Sequence, residues 1–176
     1  MSWSPGGCRS CGRAKGEAGT RQAERSVAHS RSWQDGGEAL RADRIDPLGL
    51  AFDEARRAAA RGEVPVGAVV VREGAVIAAA GNRTLVDNDP TAHAEILAIR
   101  AAGAELGSQR LAGCDLYVTL EPCAMCAGAI SFARIRRLYF AAPDPKGGAV
   151  DHGPLFFGQP TCHHAPEVYG GLREAE

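Results

Sequence analysis

The sequence lacks any apolar run approaching the roughly 20 residues that a membrane-spanning helix needs. It also lacks an apolar N-terminal stretch of the kind that directs secretion, so a cytoplasmic location is expected. Net charge is nearly absent, at −1. A chain that grips long stretches of polyanion by bulk charge is therefore excluded. The charge is also split. Residues 1–46 carry eight Lys and Arg against six Asp and Glu, whereas residues 47–176 carry twelve against fifteen. Any contact of the second part with nucleic acid must be local.

What is present fits one domain with a ragged start. An apolar content of 45% over 176 residues can bury a core without staples. The six cysteines, Cys8, Cys11, Cys114, Cys123, Cys126 and Cys162, read as thiols or metal ligands in a cytosolic chain. Residues 1–46 are rich in Gly, Ser and Arg and show no sustained period, which predicts a disordered tail. Cys8 and Cys11 form a lone C-x-x-C there, more simply two free thiols than half of a metal site.

Order is expected from Asp46-Pro47, a helix cap followed by a proline at the first helical position. Leu48, Phe52, Ala55 and Ala59 then share one helical face, and Gly62 ends the helix. Residues 64–72 are β-branched and read as a buried strand. Glu73-Gly74 is a turn, and residues 75–80 are its hairpin partner. Asp89-Pro90-Thr91 opens a second helix. Residues 116–120 form a third strand, Pro122 leads a third helix over 123–131, and residues 137–142 form a fourth strand. Residues 143–166, rich in Gly, Pro and His, read as a long loop beside the site. A last helix is expected from Glu167. Helices alternating with strands predict a three-layer α/β/α sandwich with a mixed sheet.

The chemistry is concentrated in His93-Ala94-Glu95 and Pro122-Cys123-Ala124-Met125-Cys126. Cys123 and Cys126 are three apart at a helix start, so their sulfurs share a face. The positive helix end favours thiolates. His93, in the first turn of the preceding helix, adds a neutral nitrogen. One His and two Cys suit a single Zn2+ per subunit and leave its fourth position open to water, which zinc acidifies. Glu95 need not bind metal. It is placed to take a proton from that water, pass it to a ring nitrogen, and help protonate departing ammonia. A purely structural zinc site would need a fourth ligand, for which Cys114, Cys162, His152, His163 and His164 are the candidates. That alternative leaves Glu95 and Pro122 without a purpose.

Residues 63–69 (EVPVGAV), Asn82-Arg83, residues 89–96 (DPTAHAEI) and residues 116–130 (LYVTLEPCAMCAGAI) together resemble the bacterial tRNA-specific adenosine deaminases. The resemblance runs over residues 47–176, and its motifs are far more specific than the metal and glutamate core of the wider superfamily. It implies a cytidine deaminase-like fold and a homodimer with sites close to the subunit interface. It also implies conversion of the wobble adenosine of a tRNA anticodon loop to inosine. Residue by residue, it places Asn82 on the flipped nucleoside, Val64, Pro65 and Val66 along the pocket, and Asp144 near the ribose. Taken alone, Asn82 and Asp144 read as turn residues. Two departures stand out. Pro143 occupies a position where many members carry a basic residue, and the family's longer C-terminal helix is cut short here.

Two rival functions are compatible with the same motifs. One is a zinc deaminase of a free base or nucleoside such as guanine or cytosine. The other is an inactive RNA-binding or partner module that keeps the fold, against which Glu95 argues.

Overall fold

In the computed structural model, residues 45–175 are described. The expected tail, with Cys8 and Cys11, lies outside the described residues apart from its last two positions. Helix α1 spans Pro47–Ala60. Asp46 caps it, its carboxylate accepting from the Gly49 N–H at 3.0 Å, with Pro47 at the first helical position. The buried stripe is Leu48, Ala51, Ala55 and Ala58. Expectation placed it on Phe52 and Ala59, but Phe52 is half-buried and Ala59 exposed. Close approach to the sheet explains the difference. A Cβ on Gly67 would overlap the Ala51 carbonyl oxygen, and one on Gly81 would lie 2.6 Å from the Glu54 carbonyl oxygen. Only small side chains fit along that line of contact.

Strands β1 (Gly67–Arg72) and β2 (Ala75–Gly81) form the expected hairpin. Its two turn residues, Glu73 and Gly74, both have positive φ, 51° and 82°. Such a turn matches the natural twist of a hairpin. Strand β1 starts at Gly67, not Val64, because Pro65 has no N–H to offer and the Val66 N–H turns back to Val64 O at 2.8 Å. Helix α2 (Ala94–Leu106) also starts later than expected. The Asp89 carboxylate closes a local turn on the N–H and hydroxyl of Thr91, at 2.8 and 2.7 Å. Helix α3 spans Ala124–Ala133, between β3 (Cys114–Leu120) and β4 (Arg137–Ala142). The expected helix at Glu167 is instead a short strand, β5 (Glu167–Tyr169). The Glu167 N–H bonds to Arg136 O at 3.0 Å, and residues 167–169 pair with 137–139 of β4.

The sheet order is β2-β1-β3-β4-β5. Strand β1 is antiparallel to both neighbours, while β3, β4 and β5 run parallel. The mixed sheet flanked by helices is the three-layer arrangement expected. One face buries Ala68, Val70, Leu116, Val118, Leu138 and Phe140 with α2 and α3 residues. The other buries Val69 and Val71 with Ala51 of α1. On this second face Tyr117, Tyr139 and Tyr169 stack across β3, β4 and β5, with ring centroids 4.5 and 4.8 Å apart.

This topology assembles the site. Because β1 is antiparallel to β2 and β3, its start lies at the same sheet edge as the ends of both. Parallel pairing of β3 and β4 brings the end of β4 to that edge too. Residues 64–66, Asn82, Glu121 to Cys123 and Asp144 therefore converge from four different strands.

Candidate active site

His93 and Cys123 are the N-caps of α2 and α3. The His93 Nδ1 lies 3.8 Å from the Cys123 Sγ and 3.6 Å from the Cys126 Sγ. All three donor atoms fall within 4.8 Å of one another. A tetrahedral ion about 2.3 Å from sulfur and about 2.0–2.1 Å from nitrogen would set S and N about 3.5 Å apart. The donor set therefore fits zinc in both chemistry and spacing. Two helix N-termini face it, which favours thiolate over thiol.

The two sulfurs divide the work. Hydrogen bonding from the Cys126 thiol, joined by the Cys126 and Met125 N–H groups and by nearby His93, lowers Cys123 to about 5 despite partial burial. The same thiol hydrogen bond, with burial and the adjacent Glu95 carboxylate, pushes Cys126 up. Binding of a divalent cation by both sulfurs would release protons from the pair.

Among the described residues no fourth His, Cys, Asp or Glu joins the group. Each alternative donor is engaged elsewhere. The His152 Nδ1 is 2.7 Å from the Glu121 Oε2, and the His164 Nε2 is 2.7 Å from Ile135 O. The His163 ring packs on Phe132. Cys162 hydrogen-bonds with the Ser131 hydroxyl and donates to His164 O. Cys114 is buried at the opposite end of β3 from Cys123. Four protein donors for a closed structural site are therefore not assembled among the described residues, and a zinc ion held by these three would keep one position for water.

Glu95, in the first turn of α2, is buried at 4% exposure. Burial raises its pKa above the ordinary carboxylate value. Contacts with its own backbone N–H and the Cys126 thiol only partly offset this. A carboxyl poised upward in this way suits proton transfer near neutral pH.

Asn82, at the end of β2, is also buried. Its Oδ1 accepts from the Ala94 N–H at 2.8 Å, so it caps α2 in place of the His93 side chain, which makes no cap bond. Its Nδ2 has no partner among the described residues, yet no buried side-chain nitrogen or oxygen is left unsatisfied. The amide donor therefore reaches solvent at the metal edge of the sheet. Val66 is buried, whereas Val64 and Pro65 are exposed on the segment entering β1. Asp144 follows β4. Its Oδ1 accepts from the Lys146 and Gly147 N–H groups at 3.0 and 2.9 Å, as in the turn its sequence suggests.

Two buried carboxylates carried no assigned role in the sequence reading. Glu63 accepts from the N–H groups of Leu85 and Val86, both at 2.9 Å, and from the Thr84 hydroxyl at 3.1 Å. It thereby ties down the loop that follows Asn82. Glu121 does the same for the loop after β4. Their signal was weak but present: each is a single charge immediately before a Pro-containing segment that enters or leaves the sheet.

Residues 45–142 match the family model described as the cytidine and deoxycytidylate deaminase zinc-binding region. The chain is 65% identical over 135 residues to a tRNA-specific adenosine deaminase of Agrobacterium fabrum, covering 77% of this chain and 89% of that one. It also matches a structure from work on A-to-I editing by tRNA:A34 deaminases at the wobble position. That match has 67% identity and a TM-score of 0.71, and covers 72% of this chain and 91% of the other. A guanine deaminase structure from Bacillus subtilis matches at 45% identity with a TM-score of 0.54, over 55% of this chain and 62% of the other.

Proposed function

The chain belongs to the cytidine and deoxycytidylate deaminase family, and on that premise we propose that it deaminates the wobble adenosine of a tRNA anticodon loop to inosine. The reaction class rests on the His93–Cys123–Cys126 group, three donors with no fourth beside them among the described residues. One observation carries the choice of substrate. Similarity to the wobble deaminases spans nine-tenths of their length, at 67% identity and a TM-score of 0.71. The guanine deaminase match, at 45% and 0.54, spans 62% of that chain.

His93, Cys123 and Cys126 hold one zinc ion. When bound, zinc acts as a Lewis acid that brings the pKa of water toward neutrality. Glu95 takes a proton from the attacking water on its carboxylate and places it on the adenine ring nitrogen next to C6. The water oxygen bonds to C6, the C6–N bond breaks, and Glu95 helps protonate the amine as it leaves as ammonia. Adenosine and water thus give inosine and ammonia, with no redox partner. The Asn82 Nδ2 is a donor for the flipped nucleoside. Residues 64–66 wall the pocket. The Asp144 carboxylate reaches toward the ribose, where a 2′-hydroxyl distinguishes RNA from DNA.

The active form is a homodimer. Met125 and Phe132 are 36% and 69% exposed and lie seven residues apart on α3, hence on one face. An apolar strip on the helix that starts at Cys123 suits a partner close to the site. Among the described residues no helix is long and apolar enough to cross a membrane, and a tRNA substrate and reduced thiols fit the cytoplasm. Zinc-loaded protein incubated with an anticodon stem-loop bearing a wobble adenosine tests the proposal. Inosine and ammonia should appear in equal amounts, and should fall sharply when that nucleotide is 2′-deoxyadenosine.

A further inference from the structure

The Glu121 side chain is completely buried, and every hydrogen bond its carboxylate accepts comes from one loop. The Asp144 N–H donates to Oε2 at 2.9 Å. The N–H groups of Val150, Asp151 and His152 converge on Oε1 at 3.0, 2.9 and 3.0 Å. The His152 ring closes on Oε2 at 2.7 Å. The loop wraps the carboxylate so closely that a Cβ on Gly148 would overlap the Glu121 Cδ and lie 2.5 Å from Asp144 O.

The other end of this arrangement is fixed to the strand end and turn that lead into the metal helix. The Glu121 N–H bonds to Ala142 O at 2.9 Å, at the end of β4. The Ala149 N–H bonds to Pro122 O at 3.0 Å, one residue before the ligand Cys123. Glu121 is thus the main anchor, beside the Ala149–Pro122 backbone bond, between the strand end that leads to two metal donors and the loop that presents Asp144. Within that loop the Asp144 Oδ1 is occupied by local N–H groups, while Oδ2 accepts no hydrogen bond among the described residues. The free oxygen can be aimed usefully only if the loop is held still.

We propose that Glu121 is a positioning residue for the deaminase, gathering the 144–152 backbone into a preformed wall that presents Asp144 to substrate at a set distance from the metal ligands. Its amide counterpart would turn two N–H donors toward loop N–H groups that need acceptors. The loop should then loosen without loss of the metal donors. This inference rests on the proposed tRNA reading for its substrate, and wild-type activity on the stem-loop checks that reading separately.

The experiment compares wild type, Glu121→Gln, Asp144→Ala and the double variant, all zinc-loaded, on the anticodon stem-loop. Zinc content should stay near one per chain in each. Glu121→Gln should raise KM about tenfold and nearly keep kcat, the pattern expected for lost positioning of a contact made equally in ground and transition states. The double variant should be no worse than the poorer single variant, because both changes remove the same contact. Amide exchange at Asp144, Val150, Asp151 and His152 should quicken in Glu121→Gln while α1 is unchanged. Gly148→Ala, which keeps the Glu121 charge but forces the loop and the carboxylate apart, should reproduce the KM rise, and melting curves and zinc content show that each variant tested is folded. Independent, additive losses in the double variant, or a Gly148→Ala enzyme with wild-type KM, would overturn the proposal. Failure of wild type itself on the stem-loop would instead overturn the substrate reading.

Discussion

Glu95 and the metal donors differ by only a few ångströms in place, yet their environments assign them opposite tasks. Burial pushes the Glu95 carboxyl up, which suits the proton carrier proposed here. The N-cap position and the Cys126 hydrogen bond hold Cys123 at about 5, so it stays a thiolate ligand. Glu95→Gln should therefore keep the zinc and lose turnover by about 10²–10⁴-fold, the usual share of a general acid–base group. Metal analysis beside an activity assay checks this; zinc lost together with activity would make Glu95 a ligand. The grouping of His93, Cys123 and Cys126 was legible in the sequence because short-range spacing on helix starts carries it. The Asn82 cap on Ala94 was not legible, since it crosses from one element to another; the resemblance placed Asn82 on the nucleoside. Glu121 left only a weak trace beside Pro122, because its donors lie 23 to 31 residues away.

At the scale of elements, most of the alternation of helix and strand was readable from apolar period and turn residues. The errors share one cause, contacts made by distant segments. The face of α1 was misread because a regular apolar pattern cannot report how closely the helix approaches β1 and β2. Strand β5 was misread because its pairing with β4 and the stacking of Tyr169 on Tyr139 decide its state, overriding local preference. The close approach is testable. In Gly67→Ala the new methyl would overlap Ala51 O and lie 2.7 Å from the Ala55 backbone nitrogen. Backbone atoms yield little, so the variant should lose about 1–3 kcal/mol or more. A chemical denaturation series gives the value, and an unchanged midpoint would show that α1 sits farther from the sheet.

For the whole molecule, stability is tied to carboxylates that serve as loop anchors. Burial opposes the charge on Glu63, but the N–H groups of Val86 and Leu85 and the Thr84 hydroxyl prevail and lower its pKa below 4.5. A carboxyl lowered on folding adds stability that is present above its unfolded value and lost as pH falls through the folded one. Glu63→Gln should therefore be less stable than wild type at pH 7. The gap in melting temperature should close as pH falls below about 4.5. A gap that is constant from pH 7 to 3 would mean that Glu63 contributes by shape and not by charge.

The same fold serves free-base and tRNA deaminases, so substrate preference tests the central claim most directly. Zinc-loaded protein should be given, side by side, an anticodon stem-loop with a wobble adenosine, free guanine and free cytosine. A substrate stripped of every contact remote from the base loses the binding they supply, so its kcat/KM should collapse. The expected result is inosine at the wobble position and no turnover of either free base. Rapid deamination of guanine or cytosine with an untouched stem-loop would contradict the account.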